Sequence, residues 1–454
     1  MRLVHTSDWH LGQRLFDLPR DEEHQRFLRF LLTVLQKQQA DVLVIAGDVF
    51  DSANPPAEAQ RAYYNFLADC KKLLPLLTIV VIGGNHDSPA RLDAPAELLR
   101  AARIHVVGAL PTGDDGSGLD LDRLLIPLPR ADGQVGGWLV AVPYLRPVDL
   151  PSLPAGDLPE ATAPALSGEL DEATRQAQVE ERESAALLQG LHELYARLFA
   201  AARLRMQPGQ ALLAAAHCYL ADCKSTPDSE RKIQLGNKLP LPVTLFPEDV
   251  AYVALGHLHL AQTVAGKQHV RYCGSPIPLS LSEDVYPQQV LMVQLDGEQL
   301  TSVEAVPVPR AVAMLRLPAQ PLPQVLQALQ ELPKRGTDPE ALRPYLEVNV
   351  LVAPGETQLD LRRQVEDALK PAEARLLKLT VVHAEGESGL QAHGLVTPTT
   401  SLRELDPEEV LLRCYRRAMG SAEAVLPAEL QALFAHLLEE VKGGSSLSGA
   451  GDVL

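Results

Sequence analysis

An α/β fold is what the sequence predicts, and three observations carry the prediction. Within the first 150 residues short β-branched apolar segments alternate with stretches of helical periodicity, and past residue 309 a second, smaller cycle of strand and helix begins. Polar, ligand-capable residues also crowd together where the apolar segments end. A chain of 454 residues exceeds a single compact core, so two or more domains are expected.

In chain order, "RLVHTS", "DVLVIAGD", "TIVVIGGNHD" and "WLVAVPY" read as strands. Between the first two, residues 22 to 36 place Phe27, Phe30, Leu31, Val34 and Leu35 at helical spacing. A second helix is expected over residues 55 to 74, with Asn54 as N-cap and Pro55 in the first turn. The Pro-, Ala- and Glu-rich segment from Leu150 to about Val179 reads as an exposed loop, part of an acidic insertion spanning 150–190, and leads into a helix that runs to about residue 203. Strands follow at "ALLAAAHCYL" and "DVAYVALGH", closing a first domain expected over 1–300. Strand "AVAMLRL", helix 322 to 332, strand "YLEVNVLV", helix 357 to 369 and strand "LLKLTVVHAE" then form a βαβαβ unit, a second domain over 305–390. Two helices are expected near 406 to 418 and 427 to 441 (the region 400–442), ahead of a tail, 443–454, whose composition predicts disorder. In the last helix Leu430, Leu433, Phe434, Leu437, Leu438 and Val441 make one apolar face that needs a partner, within this chain or on another.

Composition is that of a water-soluble globular protein, with 46% hydrophobic residues but no apolar run of membrane-spanning length. The start "MRLVHTSDWH" lacks the apolar stretch of a signal peptide, so a cytoplasmic address is expected, with no membrane partner. Five cysteines without a CxxC pair argue against a disulfide framework or a thiolate zinc site. The net charge of −17 is unfavourable for phosphate binding, yet residues 151 to 190 alone carry eight acidic residues against two Arg. Ligand carboxylates would add further charge that bound cations cancel, so charge alone leaves the substrate class open.

Five strand ends carry similar chemistry. "VHTSDWH" offers Asp8 and His10, "LVIAGDVFD" offers Asp48, and "VVIGGNHD" offers Asn85, His86 and Asp87; His217 closes "LLAAAH", and His257 and His259 follow "AYVALG". Loops at the carboxyl ends of parallel strands share one edge of a sheet, so residues far apart in sequence can converge there. Carboxylates, an amide and imidazoles together suit Mn, Fe or Zn, and two ions a few Å apart need a shared ligand such as a carboxylate. A single His at a strand end is more often structural, and His5, His24, His105, His192, His269, His383, His393 and His436 are read that way. The joint series D-x-H, G-D, G-N-H-D, H, G-H-x-H is a different matter.

That series resembles the calcineurin-like metallophosphoesterase superfamily, a β-sandwich flanked by helices. "HTSDWHLG", "AGDVFD", "GNHDS" and "GHLH" are similar to its SbcD nuclease branch, which adds a small α/β cap domain and C-terminal partner-binding helices. The resemblance implies one metal on Asp8, His10, Asp48 and His259 and another on Asp48, Asn85, His217 and His257, with Asp48 bridging. It makes His86 the non-ligand histidine that faces the phosphate, and it gives Asp87 an orienting role in catalysis or a structural one. Asp51 occupies a position where archaeal relatives carry a histidine. The cofactors implied are two divalent ions, Mn2+ foremost with Mg2+ or Fe2+ as alternatives. The reaction implied is phosphodiester hydrolysis on DNA ends and hairpins, as a 3′→5′ duplex exonuclease and single-strand endonuclease. An SbcC-type ATPase is the implied partner, in a heterotetramer built on a homodimer, at a nucleoid-associated cytoplasmic location. Without a GxxxxGK[ST] pattern in this chain, ATP binding would fall to that partner.

Two other functions share these residues. A stand-alone phosphodiesterase acting on nucleotides or other small phosphodiesters would use every ligand but has no need of a cap or a partner-seeking helix. A regulatory subunit with a vestigial site predicts missing ligands, and none of the positions is missing.

Overall fold

The computed structural model describes residues 1–111, 118–130, 132–146, 149, 172–221, 223–224, 240–337, 339–352, 360–383 and seven positions between 411 and 434. The expected C-terminal helices and tail lie outside the described residues apart from those seven positions. The larger of two compact units comprises Met1–Leu317, Ala328–Val348 and Val365–Leu379; the smaller takes in Pro318–Gln327 and Asn349–Gln364 and resumes at Thr380.

In chain order the elements begin with β1 (Arg2–Thr6), a short hairpin of β2 (Arg14–Leu15) and β3 (Leu18–Pro19), α1 (Asp21–Lys37), β4 (Val42–Ala46), α2 (Ala57–Leu73) and β5 (Thr78–Ile82). Short helices α3 (Pro89–Asp93) and α4 (Ala96–Arg100) lead to β6 (Ile104–Val107), then α5 (Leu121–Leu124), β7 (Leu125–Pro129) and β8 (Val135–Val142). After α6 (Glu172–Arg205) come β9 (Ala211–His217), β10 (Tyr252–Gly256), β11 (Gln262–Val264), β12 (Lys267–Tyr272), β13 (Gln289–Asp296) and β14 (Gln299–Pro307). The later cycle is β15 (Met314–Pro321), α7 (Leu322–Glu331), β16 (Tyr345–Val352), α8 (Leu361–Leu369) and β17 (Arg375–His383), with the three strands side by side in that order.

Two six-stranded sheets form the larger unit, in the orders β14-β13-β1-β4-β5-β6 and β11-β12-β10-β9-β8-β7. In the first, β1, β4, β5 and β6 run parallel. In the second, β8, β9, β10 and β12 do. Parallel strands buried on both faces explain the near-continuous apolar runs of the sequence. Strand periodicity of two sorts those runs: Val42, Val44, Ala46, Val80 and Ile82 pack toward β8, β9 and β10 of the other sheet. Leu43, Ile45, Ile79 and Val81 pack on α1 and α2 instead. A sandwich with helices outside results, and its two parallel sets bring the ends of β1, β4, β5, β9 and β10 together.

Two local expectations are corrected. Helix α2 starts at Ala57 with Pro56 as its N-cap, and Asn54 instead accepts a 2.7 Å hydrogen bond from Arg91. Pro55 and Pro56 in succession hold the chain extended before the first turn, which moves the start past Asn54. Helix α6 begins at Glu172, inside the stretch expected to be loop up to Val179; "EATRQAQVEERESAALL" has no Pro or Gly to interrupt it.

Near β2 and β3, Leu15 packs with Val312, Tyr345 and Leu377. Beside this cluster runs a buried polar chain. Arg20, 1% exposed, is paired to both oxygens of Glu23 at 2.8 Å, and Tyr345 donates to Glu23 Oε1 at 2.6 Å. Arg20 also reaches Gln13 at 2.9 Å, and Gln13 donates to the Leu279 carbonyl at 2.7 Å.

Candidate metal centre

Each ligand candidate sits at or just past the carboxyl end of a parallel strand. Asp8 and His10 follow β1, and Trp9 between them is buried, edge-on to Phe27 of α1 and Phe66 of α2 at 5.6 and 5.4 Å, with Nε1 donating to Thr6 Oγ1 at 2.9 Å. With Trp9 fixed in the helix layer, its two neighbours turn to the opposite side. Their backbone is tied to the β4 loop by Asp8 N–H to the Gly47 carbonyl and His10 N–H to the Asp48 carbonyl, both at 3.0 Å.

Asp48 lies at the centre. Its Oδ2 stands 3.5 Å from both His10 Nε2 and His217 Nε2, while Oδ1 accepts the His86 backbone N–H at 2.9 Å. Asn85 Oδ1 lies 3.0 Å from His217 Nε2 and 2.9 Å from His257 Nδ1. Ligand-capable atoms of Asp8, His10 and His259 fall within 4.8 Å of one another, as do those of Asp8, Asp48 and His217, and those of His10, Asp48 and His86. All seven residues expected as ligands are therefore together, and His86 joins them from the side of His10, with ring centroids 4.8 Å apart.

The close approach depends on glycine. A Cβ on Gly84 would sit 2.1 Å from Asp48 Oδ1, and one on Gly256 would sit 1.8 Å from the Ala46 carbonyl that joins the sheets behind the site.

His217 donates Nδ1–H to the Ala46 carbonyl at 2.9 Å, turning Nε2 to the site. Burial works against charge on this imidazole, but Asp48 and Asp8 outweigh it and raise its pKa to about 9. Burial likewise opposes ionisation of Asp48, and here His217 and His10 win, holding the carboxylate far below its ordinary range. Asp8 goes the other way, raised chiefly by burial. His257 falls to about 3, through burial and the neighbouring His217. A field that draws a proton onto a buried imidazole favours a divalent cation in the same place.

The donor set fits such a cation. Asp8 Oδ2 and His10 Nε2 are fully buried and have no hydrogen-bond partner in the protein, an arrangement that is costly unless an ion accepts both. Mixed imidazole, carboxylate and amide ligands suit Mn, Fe or Zn.

Asp87 is bound to backbone amides and not to the ligand candidates. Its carboxylate accepts the backbone N–H groups of Val49, Phe50 and Gly84 at 3.1, 2.9 and 2.9 Å, stapling the β4 loop to the β5 loop. Burial and nearby Asp48 raise its pKa to about 6 against those three donors. His86 Nδ1 lies 2.8 Å from the Asp51 carbonyl, so that nitrogen carries a proton and Nε2 is the reactive edge. Sequence reasoning missed Glu283. Fully buried, it holds His259 Nδ1 at 2.9 Å through Oε1 and accepts Leu279 N–H at 2.7 Å through Oε2.

Comparison with known proteins agrees with this geometry. The calcineurin-like phosphoesterase family model matches residues 1–261, and an SbcD C-terminal model, described as the Type 5 capsule protein repressor C-terminal domain, matches residues 310–418. The SbcD protein of Rhodobacter capsulatus, a component of the nuclease SbcCD, is 38% identical over 420 residues, covering 91% of this chain and 94% of that one. The chain belongs to the SbcD family. The Escherichia coli K12 member is 30% identical over 446 residues, 98% of this chain and 99% of its own length. The SbcD protein of Bacillus subtilis is 33% identical over 306 residues, 66% and 68% of the two chains. Membership makes the chain a metallophosphoesterase hydrolase, its His and Asp clusters lying at the strand ends where the ligand series was expected. Among the described residues no helix is long and apolar enough to cross a membrane.

Proposed function

We propose that the chain is the nuclease subunit of an SbcCD-type complex, hydrolysing DNA phosphodiester bonds with two divalent ions, Mn2+ foremost. One ion would rest on Asp8, His10, Asp48 and His259, the other on Asp48, Asn85, His217 and His257. The observation that carries this reading is the pair of buried ligand atoms without a hydrogen bond, Asp8 Oδ2 and His10 Nε2, within the converging set of Asp8, His10, Asp48, Asn85, His217, His257 and His259. When bound, two such ions neutralise phosphate charge and activate water for in-line attack.

The chain's own residues do the remaining work. His86, anchored at Nδ1 by the Asp51 carbonyl, offers Nε2 to the phosphate or to the leaving oxygen, where it stabilises charge or delivers a proton. Asp87 keeps His86 in place by fixing the loops on either side of it. This reading calls for no covalent nucleophile, since phosphoryl chemistry asks mainly for positioning and charge neutralisation.

Likeness to the SbcD proteins is the support for the substrate and partners in this reading. An SbcC-type ATPase would grip the C-terminal segment, and DNA ends and hairpins would reach the metal centre of a homodimer within a heterotetramer, in the nucleoid. Activity would be 3′→5′ on duplex ends and endonucleolytic on single strands. The test is cleavage of an end-labelled hairpin in Mn2+, with and without the SbcC-type ATPase and ATP. His86→Gln should bind Mn2+ as the parent does and cleave about 10²- to 10⁴-fold more slowly. DNA left intact with the partner present, while a small phosphodiester is hydrolysed, would favour the stand-alone phosphodiesterase instead.

A further inference from the structure

The candidate ligands are not supported alike. Behind the Asp8, His10 and His259 group stand two carboxylates: Glu283 Oε1 lies 2.9 Å from His259 Nδ1, and Asp51 Oδ1 lies 3.3 Å from His10 Nδ1. On the other side His217 Nδ1 meets a neutral carbonyl, that of Ala46. A carboxylate behind an imidazole fixes its tautomer and orientation and makes the opposite nitrogen a stronger base.

A second, independent observation points the same way. In the first group Asp8 Oδ2 and His10 Nε2 are buried with no hydrogen-bond partner in the protein, His10 Nε2 lying 3.5 Å from Asp48 Oδ2, so a cation there breaks no hydrogen bond of theirs. In the second, Asn85 Oδ1 already engages His217 Nε2 at 3.0 Å and His257 Nδ1 at 2.9 Å, and a cation there must break both contacts.

We propose that Glu283 and Asp51 are positioning residues that make the two ion positions unequal, the position of Asp8, His10 and His259 holding a divalent cation more tightly than that of Asn85, His217 and His257. This rests on the two-ion reading given above. Glu283 is itself set by Leu279 N–H at 2.7 Å and Ser275 Oγ at 3.4 Å, so its carboxylate faces His259 in one fixed direction. Asp51 occupies the loop of the bridging Asp48, and its carbonyl also holds His86; one residue thereby serves both a ligand and the phosphate-facing histidine.

The experiment is Mn2+ titration of the chelator-stripped full chain, by calorimetry and by the electron paramagnetic resonance signal of free Mn2+. Two steps are expected, a tighter and a weaker. Glu283→Gln and Asp51→Asn should each weaken the tighter step about 10- to 100-fold and leave the weaker one in place. Asn85→Ala should do the reverse, and the melting temperature of each stripped variant shows whether the fold persists. Should Glu283→Gln fail to fold, Asp51→Asn decides alone, its carboxylate being 39% exposed and outside the core. Two equal steps, or loss of the weaker step in Glu283→Gln or Asp51→Asn, would overturn the inequality. A wild-type chain that binds no Mn2+ would instead overturn the two-ion reading on which it rests.

Discussion

His5 joins the two sheets directly behind the metal centre, and acid should loosen that joint. The imidazole is fully buried, with Nδ1 2.9 Å from Tyr252 Oη and Nε2 3.1 Å from the Leu255 carbonyl. A carbonyl only accepts, so Nε2 carries the proton and Nδ1 accepts from the tyrosine; the neutral ring is satisfied at both nitrogens. Burial lowers its pKa from 6.5 to about 3, the hydrogen bond to the Leu255 carbonyl opposing the shift and Arg271 adding to it. In the unfolded chain the ring protonates near pH 6.5 and in the folded chain it does not, so this stability is whole above pH 6.5 and drains away as pH falls toward 3. The slope is about 1.4 kcal/mol per pH unit, or about 2 kcal/mol lost by pH 5. His5→Gln keeps a donor and an acceptor in place while removing the titration. Urea unfolding of both chains in chelator from pH 8 to pH 4.5 should show the parent losing stability more steeply, by about one proton's worth below pH 6.5. Parallel pH dependences would refute the assignment.

Two further outcomes are expected. Gly84→Ala drives a methyl to 2.1 Å from Asp48 Oδ1 and 2.3 Å from Asp48 N, backbone that has no room to yield, so Mn2+ affinity measured by calorimetry should fall at least 10-fold even where circular dichroism shows the fold retained. Tyr345→Phe removes the 2.6 Å hydrogen bond to the buried Glu23 carboxylate and should cost about 1.5–3 kcal/mol in denaturant unfolding, with Mn2+ binding unchanged.

The ligand series is legible in the sequence because parallel strands impose a geometric rule. Asp8, Asp48, Asn85, His217 and His257 each follow an apolar run at its carboxyl end, and such ends share an edge whatever lies between them. His5 and His24, which lack that company in the sequence, are structural: His24 Nε2 meets the Trp9 carbonyl at 3.1 Å. Glu283 carries no comparable signal. It lies in a short 3-10 segment, 24 residues past His259 and beyond two further strands, and only the return of the chain toward β13 brings it behind the ligand. At the start of α2 the capping preference of Asn54 competes with two prolines that hold the chain extended, and the prolines prevail. Ahead of α6, Pro-rich composition obscures the helix formers that run from Glu172 onward.

Parallel strand ends bring the Cα atoms together, but they do not aim the side chains. Asp8, His10, Asp48 and His257 all have positive φ, at 54°, 47°, 48° and 104°, a conformation that costs a residue with a Cβ about 1–3 kcal/mol. Four such residues at one site persist only because their surroundings permit no alternative. For Asp8 and His10 that constraint is Trp9, wedged between Phe27 and Phe66 and tied to Thr6; for Asp48 it is Asp87, which grips the two amides that follow it. His257 is held by its own N–H, which donates to Asp8 Oδ1 at 2.9 Å and so links a ligand of one sheet to a ligand of the other. The cost of aiming the ligands is thus met by the helix-side core of the first sheet and by buried hydrogen bonds around the site. A core residue such as Trp9, which touches no ion, is in energetic terms part of the metal centre.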